Sequence, residues 1–213
     1  MVKEKDCVEV YENENDQMEA VKRFFAENGK ALVVGVVLGI GALVGWRYWN
    51  GHQDDSMREA SLAYQNVTSA VKADQPQTLE AVEKFAADNK NTYGALAALE
   101  LAQQFVDKND LDKAATQLQT GLSSTKDENL QALINLRLAR VQIQQKQADV
   151  ALKTLDGVKG EGWAAIVADL RGEALLSKGD KQGARDAWSK GSQTNASPAL
   201  REMMQMKINN LSS

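Results

Sequence analysis

The distribution of apolar and polar residues divides the chain near residue 50. From Ala31 the sequence reads ALVVGVVLGIGALVG, which contains no charged or strongly polar side chain, and the cluster WRYW follows it directly. The stretch from Ala31 to Trp49 has 19 residues, and as a helix it would extend about 28 Å, close to the hydrocarbon thickness of a bilayer. Because Trp and Tyr favour the membrane interface, the pattern predicts a transmembrane helix over residues 31–49.

This apolar segment is expected to stay in the mature chain. A cleaved signal peptide ends in a small-residue cleavage site, and here bulky aromatic residues stand in that place. A buried core helix is the other interpretation, but nothing else in the chain is apolar enough to surround it. We therefore expect a signal-anchor helix in the lipid bilayer.

The cations beside the segment predict its orientation. Lys22, Arg23 and Lys30 precede it, and Arg47 and Arg58 follow it. Because positive charge favours the cytoplasmic side, the N-terminus is expected inside. The chain would then be a single-pass type II protein of a bacterial inner membrane, with its C-terminal domain in the periplasm.

Small residues recur within the predicted span. Gly35 and Gly39 form one pair four residues apart, and Gly41 and Gly45 form a second. Such pairs allow helix backbones to approach closely, so these four glycines are candidates for packing against a partner helix. Glycine is also common in membrane helices that have no such partner.

A short helix is predicted before the span. Asp16 and Glu19 have the spacing of a capping box, and Val21, Phe24 and Phe25 follow on one face. This face is too small to bury itself. We expect it to lie on the inner membrane surface or on a partner.

Beyond the span, the chain is a series of amphipathic helical patterns separated by short polar breaks. No segment shows sustained alternation with a period of two, and proline occurs only twice, at Pro76 and Pro198. The fold class is therefore all-α. The predicted helices cover residues 55–73, 78–89, 93–107, 110–123, 128–145, 147–156, 162–177, 180–192 and 198–211.

Three of the predicted helix pairs can be aligned with one another. In each pair a small residue is followed twelve positions later by a second small residue, and four positions after that by a bulky one. The three sets are Ala102, Ala114 and Leu118; Ala139, Ala151 and Leu155; and Gly172, Ala184 and Trp188. The polar turns between the helices align as KND, KQA and KGD. This pattern resembles the tetratricopeptide repeat, and the alternative is a generic helical bundle with accidental register. A last helix opened by Pro198 would cap the stack.

In tetratricopeptide stacks the first helix of each pair lines a concave face. Carried across the three units, the alignment predicts a partner or client groove with apolar positions and one arginine. Its residues are Leu96, Leu99, Val106, Leu133, Leu136, Arg140, Ile143, Ile166 and Leu176, with Gln103, Asp169 and Glu173 between them. Such a groove suits an extended peptide or a partner helix. The alternative is that a tightly wound superhelix buries these side chains.

Composition and motifs exclude several classes of function. The net charge is −4 and there is no basic block, so a nucleic-acid partner is not expected. The chain has a single cysteine, Cys7, which excludes an intrachain disulfide. Because Cys7 and the single histidine, His52, lie on opposite sides of the span, thiol–imidazole catalysis is excluded as well. We find no catalytic, cofactor or metal-binding motif, and an enzyme is not expected.

Four stretches carry a more specific resemblance. They are YENENDQMEAVKRFFAENGKAL, the end of the span GWRYWN, KNTYGALAALELAQQFVDKN and KGEGWAAIVADLRGEALLSKGDKQGAR. From about Val8 to Leu211 the chain resembles the YfgM-type family of ancillary SecYEG translocon subunits.

The resemblance implies a periplasmic tetratricopeptide-like domain on a type II anchor. It implies association with the SecYEG translocon and with a membrane-anchored, prolyl-isomerase-like chaperone of the PpiD type. In this family's suggested role, the protein helps newly translocated, unfolded secretory proteins to reach periplasmic chaperones. It further implies negative regulation of an Rcs-type envelope stress response.

The expected organisation has three parts. Residues 1–30 form a cytoplasmic segment, residues 31–49 the anchor, and residues 50–213 the periplasmic repeat domain with its capping helix. The first hypothesis is a translocon-associated adaptor. The alternative is a signalling regulator that acts mainly through residues 1–30 on an Rcs-type response regulator.

Overall fold

The computed structural model describes the backbone of residues 14–71 and 76–211, and the side chains within those ranges except at 14–17, 20, 54, 70, 71 and 76–78. Every regular element in these ranges is helical. The helices are α1 (Glu14–Val71), α2 (Pro76–Asp88), α3 (Thr92–Asp107), α4 (Leu111–Ser124), α5 (Glu128–Gln144), α6 (Ala148–Asp156), α7 (Ala164–Ser177), α8 (Lys181–Ser192) and α9 (Pro198–Asn210), with a short 3-10 helix at Glu161–Trp163. The chain divides into two compact units, Met1–Arg58 and Glu59–Ser213.

α1 is one continuous helix where the sequence predicts several. α1 passes through Gly29 and Gly51, which lie near the boundaries between the predicted lead helix, the predicted span over residues 31–49 and the predicted helix over residues 55–73. A glycine inside a helix costs only about 1 kcal/mol relative to alanine, and no proline follows either position, so nothing terminates the helix. α1 already includes Glu14, so the predicted capping box at Asp16 does not begin it.

The apolar part of α1 meets the expectation of a membrane-crossing helix. Within the described residues, Val21–Ser69 is long and apolar enough to span a bilayer, and its most apolar window is not buried by the rest of the chain. Val33, Leu38 and Leu43 each expose more than half of their surface. Such a continuous apolar surface requires a non-aqueous environment or a partner.

The second unit is a row of antiparallel helix pairs. α3 packs against α4, α5 against α6 and α7 against α8, while α2 precedes the row and packs against α3. These boundaries agree with the predicted ones to within about two residues. The signals are local, because Asn91, Asp110, Asp127 and Asp180 each accept hydrogen bonds from the first turn of the next helix.

The aligned small and bulky residues all lie inside the pairs, which confirms the repeat register. Ala114, Ala139, Ala151 and Ala184 have no exposed surface, and the bulky partners are buried as well. Small side chains at these crossings let the two helices of a pair approach closely. Ahead of these pairs, α2 buries Val82 and Ala86 and exposes Ala81.

The turn inside each pair has the same backbone form. Asn109, Lys146 and Gly179 occupy it with φ values of 58°, 64° and 85°. In each turn the following residue donates its N–H to a carbonyl five residues back, as Asp110 does to Phe105 at 2.8 Å, which satisfies the end of the first helix. The second turn is therefore Gln145-Lys146-Gln147, and its alignment as KQA was displaced by one residue.

The last helix closes the row as expected. Ser197 accepts a hydrogen bond from the Leu200 N–H, and Pro198 stands at the first helical position. Met204 is fully buried against the core of the α7–α8 pair, and Met206 is exposed. α9 therefore covers apolar surface that would otherwise face water at the end of the stack.

Candidate functional site

A groove of about 310 Å³ lies between α3 and α5. Its walls come from the first helices of two successive pairs, and Leu118 of α4 contributes to its floor. The lining residues are Leu99, Ala102, Gln103, Val106, Leu118, Arg137, Arg140, Val141 and Gln144. The surface is mostly apolar, the two charged side chains are arginines, and no acidic residue lines it. We call this the α3–α5 groove.

The structure brings together part of the set predicted from the sequence. Leu99, Val106 and Arg140 line the α3–α5 groove, with Gln103 beside them. Leu96 is half-buried and packs against the core around α3 and α4. The first row of the predicted concave face, which α3 supplies, thus contributes Leu99, Gln103 and Val106 to this groove.

The second row of the predicted concave face, which α5 supplies, lies mainly in the core. It consists of Leu133, Leu136, Arg140 and Ile143. Leu136 exposes only 4% of its surface and belongs to the cluster formed by α5, α6 and α7. Ile143 is half-buried against the same cluster, as is Ile166 of the third row, and Leu133 packs against the preceding cluster. Here the superhelix buries the side chains, as the alternative interpretation expected.

The third row is covered by α9. Lys207 reaches back from α9, and its ammonium lies 2.6 Å from Asp169 Oδ1 and 2.7 Å from Glu173 Oε1. The same ammonium is 5.7 Å from the centre of the Trp188 ring. Leu176, at the end of this row, remains exposed. The capping helix therefore occupies the concave face of the last pair.

The charge of Lys207 is maintained by this cluster. Burial alone would lower the pKa of the Lys207 ammonium, but hydrogen bonds to Asp169 and Glu173 and the charges of both carboxylates raise it above its usual value. Asp169 has only 3% of its side chain exposed. A buried carboxylate of this kind requires a charged partner.

Arg137 explains why the groove lies between α3 and α5 and not one unit further on. In the next unit the equivalent position, 33 residues later, is Leu170, which is fully buried in the core shared by α5 and α7. Arg137 is exposed. Burying a guanidinium without a partner is costly, so the arginine keeps this part of the stack open.

Sequence reasoning missed Arg137 as a groove residue, together with Val141 and Gln144. A signal was present. Aligning the units gives Glu100, Arg137 and Leu170 at one position, and a charge in a column that holds a core leucine elsewhere indicates an open site.

Glu100 has a partner in the residues just before the first pair. The Tyr64 hydroxyl donates a hydrogen bond to Glu100 Oε2 at 3.4 Å, and the Tyr64 ring contacts Phe85 and Tyr93. Burial, followed by the charge of Glu100 and this hydrogen bond, raises the pKa of Tyr64. The start of the second unit is thereby attached to its first helix pair.

The four glycines predicted to pack against a partner helix have open space around them. A Cβ at Gly35, Gly39, Gly41 or Gly45 would meet nothing within 4 Å. Nothing within the described chain explains small residues there. At about 100° per residue, the two pairs lie on different faces of α1.

These features define an α-helical repeat protein with a candidate membrane-spanning helix. A family model described as a tetratricopeptide repeat-like domain matches residues 22–213. The fold class expected from the sequence is confirmed.

Curated relatives extend this similarity to nearly the whole chain. An ancillary SecYEG translocon subunit of Escherichia coli is 76% identical over 205 residues, which cover 96% of this chain and all of that protein. Proteins with the same description from Haemophilus influenzae and Neisseria gonorrhoeae are 36% and 25% identical, each over 93% of this chain and 97% of their own length. No solved structure matches significantly. The chain belongs to the family of ancillary SecYEG translocon subunits.

Proposed function

We propose that this protein is a non-enzymatic, single-pass inner-membrane subunit that associates with the SecYEG translocon and binds partner proteins through its repeat domain. The observation that carries the proposal is the identity of 76% over the entire length of a relative described as an ancillary subunit of that translocon. At this identity the groove and the exposed faces of α1 are expected to be retained with the fold.

Two surfaces would divide the work. The apolar part of α1 would hold the protein in the bilayer and place the glycine pairs against a helix of the translocon. The α3–α5 groove would bind a partner chain, because it is concave, largely apolar and open to solvent.

The finer assignment concerns the side of the membrane. We place the N-terminus in the cytoplasm and the repeat domain in the periplasm, because Lys22, Arg23 and Lys30 precede the span. A groove on that side is positioned to receive newly translocated proteins. It would pass them to periplasmic chaperones, including a membrane-anchored chaperone of the PpiD type.

A regulatory role is a second candidate. Phe24 and Phe25 lie on the cytoplasmic side in this topology, each is more than half exposed, and their rings meet edge to face at 6.1 Å. An exposed aromatic pair outside the apolar span provides a contact point for a cytoplasmic protein. We assign to it the suggested restraint of an Rcs-type stress response.

Co-purification tests the association. The full chain, extracted from membranes in mild detergent, is expected to retain SecYEG. Gly35→Leu/Gly39→Leu and Gly41→Leu/Gly45→Leu, tested separately, would show which face of α1 makes the contact, and Val36→Leu/Val37→Leu is the matched control. Absence of SecYEG from the wild-type eluate would refute the association.

Protease access tests the topology. Protease added to spheroplasts is expected to degrade the chain beyond about residue 50 and to spare the lead. Protection of the repeat domain until the cells are lysed would contradict the orientation.

A further inference from the structure

Two arginines stand in the α3–α5 groove without an ion partner among the described residues. Arg137 and Arg140 are one helical turn apart on α5, and both are exposed. Three other cations of the same domain are paired with carboxylates on neighbouring helices: Arg171 with Asp156, Lys178 with Asp149, and Lys207 with Asp169. The groove therefore presents positive charge that the described chain does not neutralise.

The position of Arg140 in the repeat indicates what would neutralise it. Arg140 is equivalent to Glu173, 33 residues later. In that last unit the concave face is occupied by α9, whose Lys207 forms a 2.7 Å ion pair with Glu173. The molecule thus shows how a segment lying on this face is held: a side chain of opposite charge reaches the row. With arginine at the equivalent position, the segment must supply a carboxylate.

The rest of the lining sets the second requirement. Val106 presents apolar surface between the two helices, and the largely buried side chains of Leu99, Leu118 and Val141 form the apolar wall behind it. The volume of about 310 Å³ is at the small end of ligand sites, and it suits a few side chains of a peptide better than a folded surface. Apolar side chains placed there are removed from water, which also strengthens the neighbouring charge–charge contacts.

We propose that the α3–α5 groove binds an acidic, apolar segment of a partner protein: carboxylates meet Arg137 and Arg140, and adjacent aliphatic or aromatic side chains fill the space beside Leu118. This rests on the proposed function, in which the groove is the partner site, and adds the chemistry of the partner. Arginine binds carboxylates with two parallel hydrogen bonds, which gives the contact direction as well as charge.

The test uses the full chain in neutral-lipid nanodiscs and three fluorescein-labelled peptides of equal length. The acidic peptide has two glutamates flanking two leucines, the basic peptide has two lysines flanking two leucines, and the polar peptide has two glutamates flanking two serines. Fluorescence anisotropy gives the affinities. The acidic peptide is expected to bind at least about tenfold more tightly than either of the others.

Charge reversal makes the test specific. The variant Arg137→Glu/Arg140→Glu should bind the acidic peptide about tenfold or more weakly than the wild type, and it should bind the basic peptide more tightly. Lys153→Glu/Lys159→Glu alters the same net charge at exposed positions outside the groove and should change neither affinity. Both variants should keep the wild-type far-ultraviolet circular dichroism and melting temperature, since all four side chains are exposed.

Other results overturn the inference. Equal binding of the acidic and basic peptides, or an acidic-peptide affinity unchanged by the reversal, would mean that the arginines do not select the partner. Binding of phosphatidylglycerol vesicles that depends on Arg137 and Arg140, with no binding of the acidic peptide, would assign the groove to lipid headgroups. SecYEG retention by the same variants is measured in parallel, so that loss of the inference and loss of the proposed association give separate signals.

Discussion

Gly172 and Trp188 are complementary in shape: a Cβ added at Gly172 would lie 2.3 Å from Nε1 of the Trp188 indole. The indole N–H itself donates to the Asp169 carbonyl at 3.0 Å. In the other two pairs the same positions hold alanine and leucine, Ala102 with Leu118 and Ala139 with Leu155. The absence of a methyl group at Gly172 on α7 leaves room for a larger side chain on α8 than the other pairs hold.

This relationship predicts a non-additive pair of substitutions. Gly172→Ala should lower the free energy of unfolding by about 1–3 kcal/mol through overpacking, and Trp188→Leu should lower it by a similar amount through the cavity it leaves. The double variant reproduces the alanine–leucine pair of the other units. Its cost should be smaller than the sum by at least about 1 kcal/mol, measured by denaturant unfolding of the full chain in detergent. Simple additivity would contradict the packing described.

The turns give a stabilising prediction. Lys146 has a φ of 64°, which lies in the left-handed region of backbone conformation. This region is unfavourable for most residues other than glycine and asparagine. Lys146→Gly should raise the stability by about 1 kcal/mol, because the equivalent turn with Gly179 adopts this form without strain. Gly179→Ala is the matched opposite and should lose about 1 kcal/mol. A shift of the melting temperature in the same direction for both would show that the turn conformation is not the cause.

The Lys207 cluster predicts a destabilised single variant and a rescued double one. Lys207→Met leaves the nearly buried Asp169 carboxylate without its partner and should cost about 1–3 kcal/mol. Adding Asp169→Leu removes the buried charge and places there the residue found at the equivalent positions Leu99 and Leu136. Most of the lost stability should return, as measured by thermal unfolding. No recovery in the double variant would contradict the charge argument.

The pKa of Lys207 predicts a dependence on alkaline pH. Because folding raises this pKa, the stabilisation is complete below the pKa of an unfolded lysine, about 10.4, and is lost as the pH rises through the higher folded value. The difference in melting temperature between the wild type and Lys207→Met should therefore be constant from about pH 7 to about pH 9 and shrink above about pH 10.4. A difference that grows with pH would contradict the sign.

The concave face predicts opposite outcomes at two leucines. Leu136 exposes 4% of its surface in the core of α5, α6 and α7, and Leu136→Glu should unfold or strongly destabilise the domain, by at least about 3 kcal/mol. Leu176 is 37% exposed, and Leu176→Glu should change the stability by less than about 1 kcal/mol. Circular dichroism of both variants separates the core position from the surface position.

The helices of the repeat domain could be predicted from the sequence because their signals are local. Asp110, Asp127, Asp180 and Ser197 cap the helices they precede, and the small–small–bulky spacing reports a contact within one pair. The continuity of α1 could not be predicted in this way. Gly29 and Gly51 resemble helix-terminating residues. A helix ends, however, only where other groups replace its backbone hydrogen bonds or where a residue such as proline prevents its continuation.

The groove was only partly predictable, because it depends on contacts between units. Leu99, Val106 and Arg140 follow from the register, but the register treats all three rows alike. Whether a row is open is decided by long-range packing: Leu170 closes one gap, Arg137 keeps another open, and Lys207 of α9 covers the last row. The repeating pattern of residues in the sequence does not report any of these contacts.

In the function proposed above, the α3–α5 groove of a membrane-anchored repeat domain binds a partner at the translocon. Photo-crosslinking in intact membranes tests this binding from a residue in the groove, Gln103, with exposed Lys153 on α6 as the control. We expect Gln103 to form discrete adducts with a translocon subunit or an envelope chaperone, identified by mass spectrometry, and Arg137→Glu/Arg140→Glu to abolish them. Identical adducts from Lys153, or adducts from Gln103 that persist after the charge reversal, would contradict the account.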